Sequence, residues 1–402
     1  MKAVGLVTEY NPFHNGHIYH IQEAKKLTGA DVVVVVMSGN FVQRGEPALF
    51  DKWTRAKAAL ENGVDLVVEL PTFFAVQPSH LFAEGAVKLL SALGVSDMVF
   101  GSEHAHVDFL ELASQAPSIE QGRDVQDKNQ TFASAYAAEL ETKTGFKLTD
   151  PNDILAFSYA KAVIKLGVDI RLHPIQRLAA GYHDQTFLVG QTIASASSIR
   201  LALHKGKLEK IQDVVPSVTL QAITDGSHTI NFEEKFWPLL KYRLTTDTVG
   251  QLGQIYQMAE GLEHRLAAIA LGEPGPKSYQ SFIKAIKSKR YTFARMQRTL
   301  FYTLLNVKVD QMQAAMQDPY LRVLGFTDAG QKYLNEIKKT VSLPLISKVD
   351  QNLAKANLRL DYKAGKLWQM LANQSEQQDV TRKPISVKST KLSVNREIIL
   401  GD

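Results

Sequence analysis

The 402-residue chain has no cysteine, which excludes disulfides and thiolate metal sites and agrees with a reducing cytoplasm. It also lacks a long apolar run. The longest, Val32 to Met37, is far too short to span a membrane, so no membrane partner is expected. No internal repeat, low-complexity tract or heptad run is visible. Met1-Lys2-Ala3-Val4 runs directly into an apolar segment, which predicts that no signal peptide precedes the fold. Acidic residues are scarce in the second half: residues 201–402 hold 29 Lys and Arg against 19 Asp and Glu, whereas residues 1–200 hold 17 against 22. A mildly acidic first half joined to a basic second half predicts that the second half meets a polyanion.

What is present is a globular composition, 45% hydrophobic and 22% charged, with a clear order along the chain. Apolar runs at Lys2–Thr8, Asp31–Met37, Leu66–Leu70, Met98–Phe100 and Asp169–His173 read as strands. Between them Ile18–Leu27, Lys52–Glu61, Ser79–Leu93 and Ala156–Leu166 read as helices. The alternation predicts an α/β fold built on a doubly wound parallel sheet. Residues 103–150 read as an insertion, helical around Thr131–Thr142. Beyond residue 205 the pattern changes to amphipathic helices, among them Thr248–Ala270, Ser278–Lys287, Arg295–Leu305 and Ala329–Lys339. The expected organisation is therefore a nucleotide-binding domain over 1–205 and a mainly α-helical, basic domain over 206–402. Near the end, short alternating segments such as Ile385–Val387 return.

The densest chemistry follows the first strand, in Asn11-Pro12-Phe13-His14-Asn15-Gly16-His17. Asn11-Pro12 is a turn signal, and a helix opens near His14. The free N–H groups of a helix start favour a phosphate, and Gly16 lets a ligand approach the backbone. His14 and His17 share one face, where two imidazoles can donate to charge developing on a leaving pyrophosphate. Strand–turn–helix context favours this over a turn with surface histidines. Paired histidines can also hold zinc, but no further ligand stands nearby and no metal site is predicted. The arrangement resembles the H-x-G-H nucleotidyltransferase superfamily. Ser195-Ala196-Ser197-Ser198-Ile199-Arg200 looks like that superfamily's second motif, with Ser197 and Arg200 suited to ATP phosphates.

Further along, Phe100-Gly101-Ser102-Glu103 ends a strand, and Asp150-Pro151-Asn152-Asp153 precedes a helix. Arg177 is expected to project from a strand end. Ser38-Gly39-Asn40-Phe41-Val42-Gln43-Arg44-Gly45-Glu46 forms a polar loop suited to a second substrate. In the basic half, Lys287, Lys289, Arg290, Arg295 and Arg298 are interleaved with Tyr291 and Phe293. Such a mixture suits contacts to RNA phosphates and unpaired bases, and equally a solvated helix face over a core.

Together, Glu9–His17, Met37–Gly45, Phe100–Glu103, Ile193–Arg200 and the basic Tyr291–Arg298 stretch are similar to the bacterial tRNA(Met) cytidine acetate ligase family, over nearly the whole chain. The resemblance implies a cytoplasmic enzyme that activates acetate with ATP to acetyl-adenylate. It then acetylates N4 of the wobble cytidine in the anticodon region of elongator tRNA(Met). It implies ATP contacts from Val7, Thr8, Glu9, Tyr10, Asn11, Pro12, Phe13, His14, Asn15, Gly16, His17, Ile18, Tyr19 and His20, and from Gly101, Asn152 and Arg177. His14, His17, Ser197 and Arg200 would act on the pyrophosphate, with Mg²⁺ accompanying ATP. A nucleotidyltransferase acting on a small phosphorylated acceptor, or a non-catalytic RNA-binding protein, are the alternatives. The first leaves a basic half of about 200 residues unexplained. The second leaves the intact motifs unexplained.

Overall fold

In the computed structural model, residues 1–116, 132–177, 192–226, 228–288 and 291–388 are described. Five parallel strands form the catalytic sheet: β1 (Ala3–Thr8), β2 (Val32–Ser38), β3 (Leu66–Leu70), β4 (Asp97–Ser102) and β5 (Arg171–Gln176). Three more come from the second half: β6 (Leu321–Thr327), β7 (Leu345–Ile346) and β8 (Ile385–Val387). The order is β5-β4-β1-β2-β3-β6-β7, with β8 also paired to β6.

The sheet is wound on both faces because its central strands are apolar on both sides. Val32, Val34 and Val36 point into one core with the helices Ser79–Ala92 and Pro151–Leu166. Val33, Val35 and Met37 point into the other, with Ile21 and Ala24 of α1 (Asn15–Thr28) and Trp53, Ala56 and Ala59 of α2 (Lys52–Glu61). The helical remainder lies on the first core, which runs without a break from the sheet to Phe236, Trp237, Phe282, Leu300 and Trp368. Among the described residues, no helix is long and apolar enough to cross a membrane.

Several boundaries differ from the sequence reading for identifiable reasons. The fifth strand, read as Asp169–His173, instead runs from Arg171 to Gln176 and includes Pro174. Among the described residues it is an edge strand, paired to β4 alone, where a missing N–H on the outer side costs no ladder bond. The predicted helix Thr248–Ala270 is two helices, Val249–Gly253 and Leu262–Leu271, separated by a turn in which Gln257, Glu260 and Gly261 take positive φ. A further helix, Phe232–Thr246, carries Pro238 in its interior, a residue that usually breaks or kinks a helix. β6 lies in what reads as a mainly helical half. It is buried throughout apart from Phe326, and it pairs antiparallel with β3.

A buried ionic knot joins the first half of the chain to a segment late in the second. Lys52 Nζ donates to both carboxylate oxygens of Glu69, at 2.9 and 2.8 Å, and to Asp379. Trp53 Nε1 donates to the Gln378 carbonyl at 2.7 Å, and Asn40 Nδ2 donates to Gln378 Oε1 at 3.0 Å. The segment around Gln378 and Asp379 is thereby clamped onto the start of α2 and the loop after β2.

Candidate active site

β1 delivers the chain into a tight turn in which Tyr10 takes a left-handed φ of 47°. α1 then begins at Asn15 with His14 as its N-cap, in extended conformation. The cap is reciprocal. The Gly16 N–H donates to His14 Nδ1 at 3.1 Å, and the His14 N–H donates to His17 Nδ1 at 3.2 Å. Histidines thus fill the positions that Ser and Glu occupy in the usual capping box. Gly16 has a tighter reason than ligand approach: a Cβ there would lie 2.9 Å from His14 Cε1 and 3.1 Å from His14 Nδ1. The ring folds back over the helix start and leaves no room for a side chain.

The two imidazoles stack with centroids 3.8 Å apart, and Tyr10 and Phe13 brace His17 at 4.7 and 5.5 Å. Burial, followed by the charges of Arg177 and Arg200, pushes His14 down to about 3. Burial and the neighbouring histidines hold His17 well below its ordinary value. Both rings are therefore neutral at pH 7. Because each Nδ1 accepts a backbone N–H, the proton of each neutral ring sits on Nε2. The site presents two Nε2–H donors that need no proton uptake to act.

A cleft of about 270 Å³ opens at the carboxyl ends of β1 and β4, where open α/β sheets place their ligands. It is lined by Val7, Thr8, Glu9, Tyr10, Asn11, His14, Gly16, His17, Tyr19 and His20, and by Gly101, Asn152, Arg177 and Arg200. Arg177 is fixed through a relay. Glu103 accepts from Asn152 Nδ2, and Asn152 Oδ1 accepts from Arg177 Nη1 at 3.1 Å. Asp153 ties the same loop to the helix start, accepting from Ser102 Oγ at 2.6 Å and the Glu103 N–H at 2.9 Å. Arg200 Nη1 donates to the Asn11 carbonyl at 2.6 Å, which pins the second motif over the turn of the first.

Five expected nucleotide or catalytic residues do not line the cleft. Phe13 is core, 1% exposed, and Ile18 packs against the α1–α2 core. Pro12 is buried within the turn. Asn15 Nδ2 is used to hold the carbonyls of Thr192 and Asp213, at 2.9 and 3.0 Å. Ser197 points to Ser195 Oγ at 3.0 Å, so Ser195 and Ala196 meet the cleft instead. The cleft also takes Tyr159, Leu155, Ile175 and Ile193. Leu155 and Tyr159 lie on the helix Pro151–Leu166, and nothing in the apolar spacing of that helix marks them as site residues.

The basic stretch separates on the same grounds. Lys287 is exposed. Arg295 is partly covered, 3.5 Å from Glu260 and over the Tyr291 ring. Arg298 is buried and donates to Gln257 Oε1 at 3.3 Å, which removes it from the expected phosphate contacts. Lys289 and Arg290 lie outside the described residues. Tyr291 is core, with its hydroxyl on the Glu260 carbonyl, while Phe293 is 46% exposed.

A capped pair of neutral histidines flanked by two arginines, at the switch point of a parallel sheet, defines a nucleotidyl-transferase type of site. The profile of the HIGH Nucleotidyl Transferase family matches residues 1–383. The chain is 78% identical over 386 residues to the tRNA(Met) cytidine acetate ligase of Leuconostoc citreum, covering 96% of this chain and 97% of that protein. It is 51% identical to the one of Oenococcus oeni, covering 96% and 100%. The crystal structure of Thermotoga maritima TmcAL, in its apo form, superposes with a TM-score of 0.85 at 32% identity, over 97% of this chain and 100% of that one. The form bound with alpha-thio ATP superposes with a TM-score of 0.82. The chain belongs to the tRNA(Met) cytidine acetate ligases, within the HIGH nucleotidyl transferases.

Proposed function

We propose that this protein activates acetate with ATP and transfers the acetyl group to N4 of the wobble cytidine of elongator tRNA(Met). The observation that carries the reading is the pair of Nε2–H donors locked by their own helix cap between Arg177 and Arg200. An acetate oxygen attacks the α-phosphorus, and negative charge accumulates on the departing pyrophosphate. Two neutral donors and two guanidiniums line the same cleft, held in place by the cap and by their own hydrogen bonds, so they can stabilise that charge with little reorganisation. Magnesium carried on the ATP phosphates would add to the same neutralisation. Exclusion of water from the occupied cleft would protect the mixed anhydride until the cytidine arrives.

Exchange of labelled pyrophosphate into ATP should require acetate and proceed without tRNA, because the cleft is built by residues ahead of position 205. Exchange that ignores acetate and responds to a small phosphorylated acceptor would favour the other nucleotidyltransferase reading.

The helical half supplies the RNA surface in this reading. Neutralising Lys287 and Arg295 should weaken tRNA binding and leave pyrophosphate exchange intact. Each lost phosphate contact should flatten the slope of log affinity against log salt by about 0.7–0.9. An unchanged salt slope in the double variant would put the RNA on another face.

A further inference from the structure

Acetyl transfer to an exocyclic amine needs a proton acceptor, since the attacking nitrogen becomes positively charged as its bond to carbon forms. The histidines of the cleft are poor candidates. His14 and His17 have committed Nδ1 to backbone N–H groups and carry their proton on Nε2. His20 has Nε2 on the Val99 carbonyl at 3.1 Å, and burial with Arg177 pushes it down to about 4. Among the described residues lining the cleft, Glu9 is the one carboxylate.

Its position suits the second half of the reaction. Glu9 Oε1 accepts from the Gln43 N–H at 2.9 Å, and no partner for Oε2 is found among the described residues. The loop that holds it also meets the basic helix Phe293–Leu305. Gln297 Nε2 donates to Glu46 Oε1 at 2.7 Å, and Gly45, at φ +85°, lies so close that a Cβ would come within 2.9 Å of Arg298 Cα. Glu9 therefore stands where the nucleotide cleft passes into the basic helical half.

We propose that Glu9 is the general base of acetyl transfer, an inference that rests on the acetate ligase reading above. The amine nitrogen forms its bond to the acetyl carbonyl carbon, and a proton on that nitrogen passes to the Glu9 carboxylate. The carbonyl carbon–oxygen bond to the phosphate then breaks, and AMP leaves with the electron pair. Burial raises the carboxyl above its ordinary range, and it outweighs the Gln43 N–H and the opposing charges of Arg200, Arg44 and Arg55. Tyr159, across the cleft, is itself raised by burial and by Glu9. A carboxylate shifted upward is a better proton acceptor than one in open water.

The test is single-turnover transfer from enzyme-bound acetyl-adenylate to tRNA, followed from about pH 5 to pH 9 in wild type, Glu9→Gln and Glu9→Asp. Wild type should show a one-proton rise that levels off at higher pH. Glu9→Gln should slow transfer by about 10²–10⁴-fold and lose that rise, and Glu9→Asp should keep the rise at a reduced rate. A folded Glu9→Gln protein that keeps the rise, or that slows adenylation and transfer by equal factors, would overturn the assignment. So would a wild-type profile with no such rise, which needs no variant to fold. Wild-type enzyme that shows no acetate-dependent exchange would sink the ligase reading itself, and the two failures are told apart in one preparation.

Discussion

A His17→Ala protein should form acetyl-adenylate about 10²–10³-fold more slowly than wild type, the usual effect of removing one preorganised donor to a developing oxyanion. The loss should appear mainly in the turnover rate of pyrophosphate exchange. A neutral Nε2–H gains little from ground-state ATP and most from the charge that grows on the leaving group. The substitution also removes the acceptor of the His14 N–H, half of the cap on α1. That loss should cost about 0.5–2 kcal/mol of stability, so the fold is checked by denaturation in parallel. His17→Gln separates the two roles, because an amide oxygen can retake the capping bond. If folded His17→Ala enzyme exchanges pyrophosphate near the wild-type rate, the histidine pair is a helix cap and nothing more.

The largest effect on stability should come from Lys52→Met. Lys52 and both carboxylates that it meets are buried, at 1% exposure for Lys52 and Asp379 and 2% for Glu69. Without the ammonium, Glu69 and Asp379 face each other with Arg322 near both and Arg55 near Glu69. Removing one partner of a buried ion pair typically costs about 3–5 kcal/mol, since the surviving charge stays desolvated. Urea unfolding should register a loss of that size in the unfolding free energy, seen as a lowered midpoint at unchanged m. A triple change of Lys52, Glu69 and Asp379 to apolar residues of similar volume should recover much of it. A single-variant loss below about 1 kcal/mol would mean that water reaches the knot.

How far the sequence disclosed this depends on the range over which each signal acts. Val32–Met37 is apolar on both faces and, bounded by turn signals and rich in valine, reads as a central strand. The H-x-G-H turn announces itself within seven residues. Even there, the local reading of Gly16 was incomplete, because the His14 ring that demands it folds back only once the cap has formed. Ser197 and Arg298 were placed by motif and charge, and side-chain direction decided otherwise. β6 was hidden because its partner, β3, lies some 250 residues earlier in the chain. Leu321–Thr327 carries no local mark that distinguishes a strand closing another half's sheet from a buried stretch of helix. Glu9 was legible as part of the nucleotide loop. Its separate standing emerges only from the contact with Gln43 and from what that loop touches.

The pairing of β6 with β3 also sets a timetable for synthesis. Leu66–Leu70 leaves the ribosome long before Leu321–Thr327 exists, and until then one edge of β3 has its N–H and C=O groups open. During that interval the nascent protein is a sheet with a free, apolar edge, the kind of surface on which chains associate wrongly. A chain interrupted at residue 205 would keep that edge permanently, whatever the state of its histidine cap. Cells making such fragments should accumulate them with chaperones or in insoluble material, and co-expression of the missing segment should compete for the same edge.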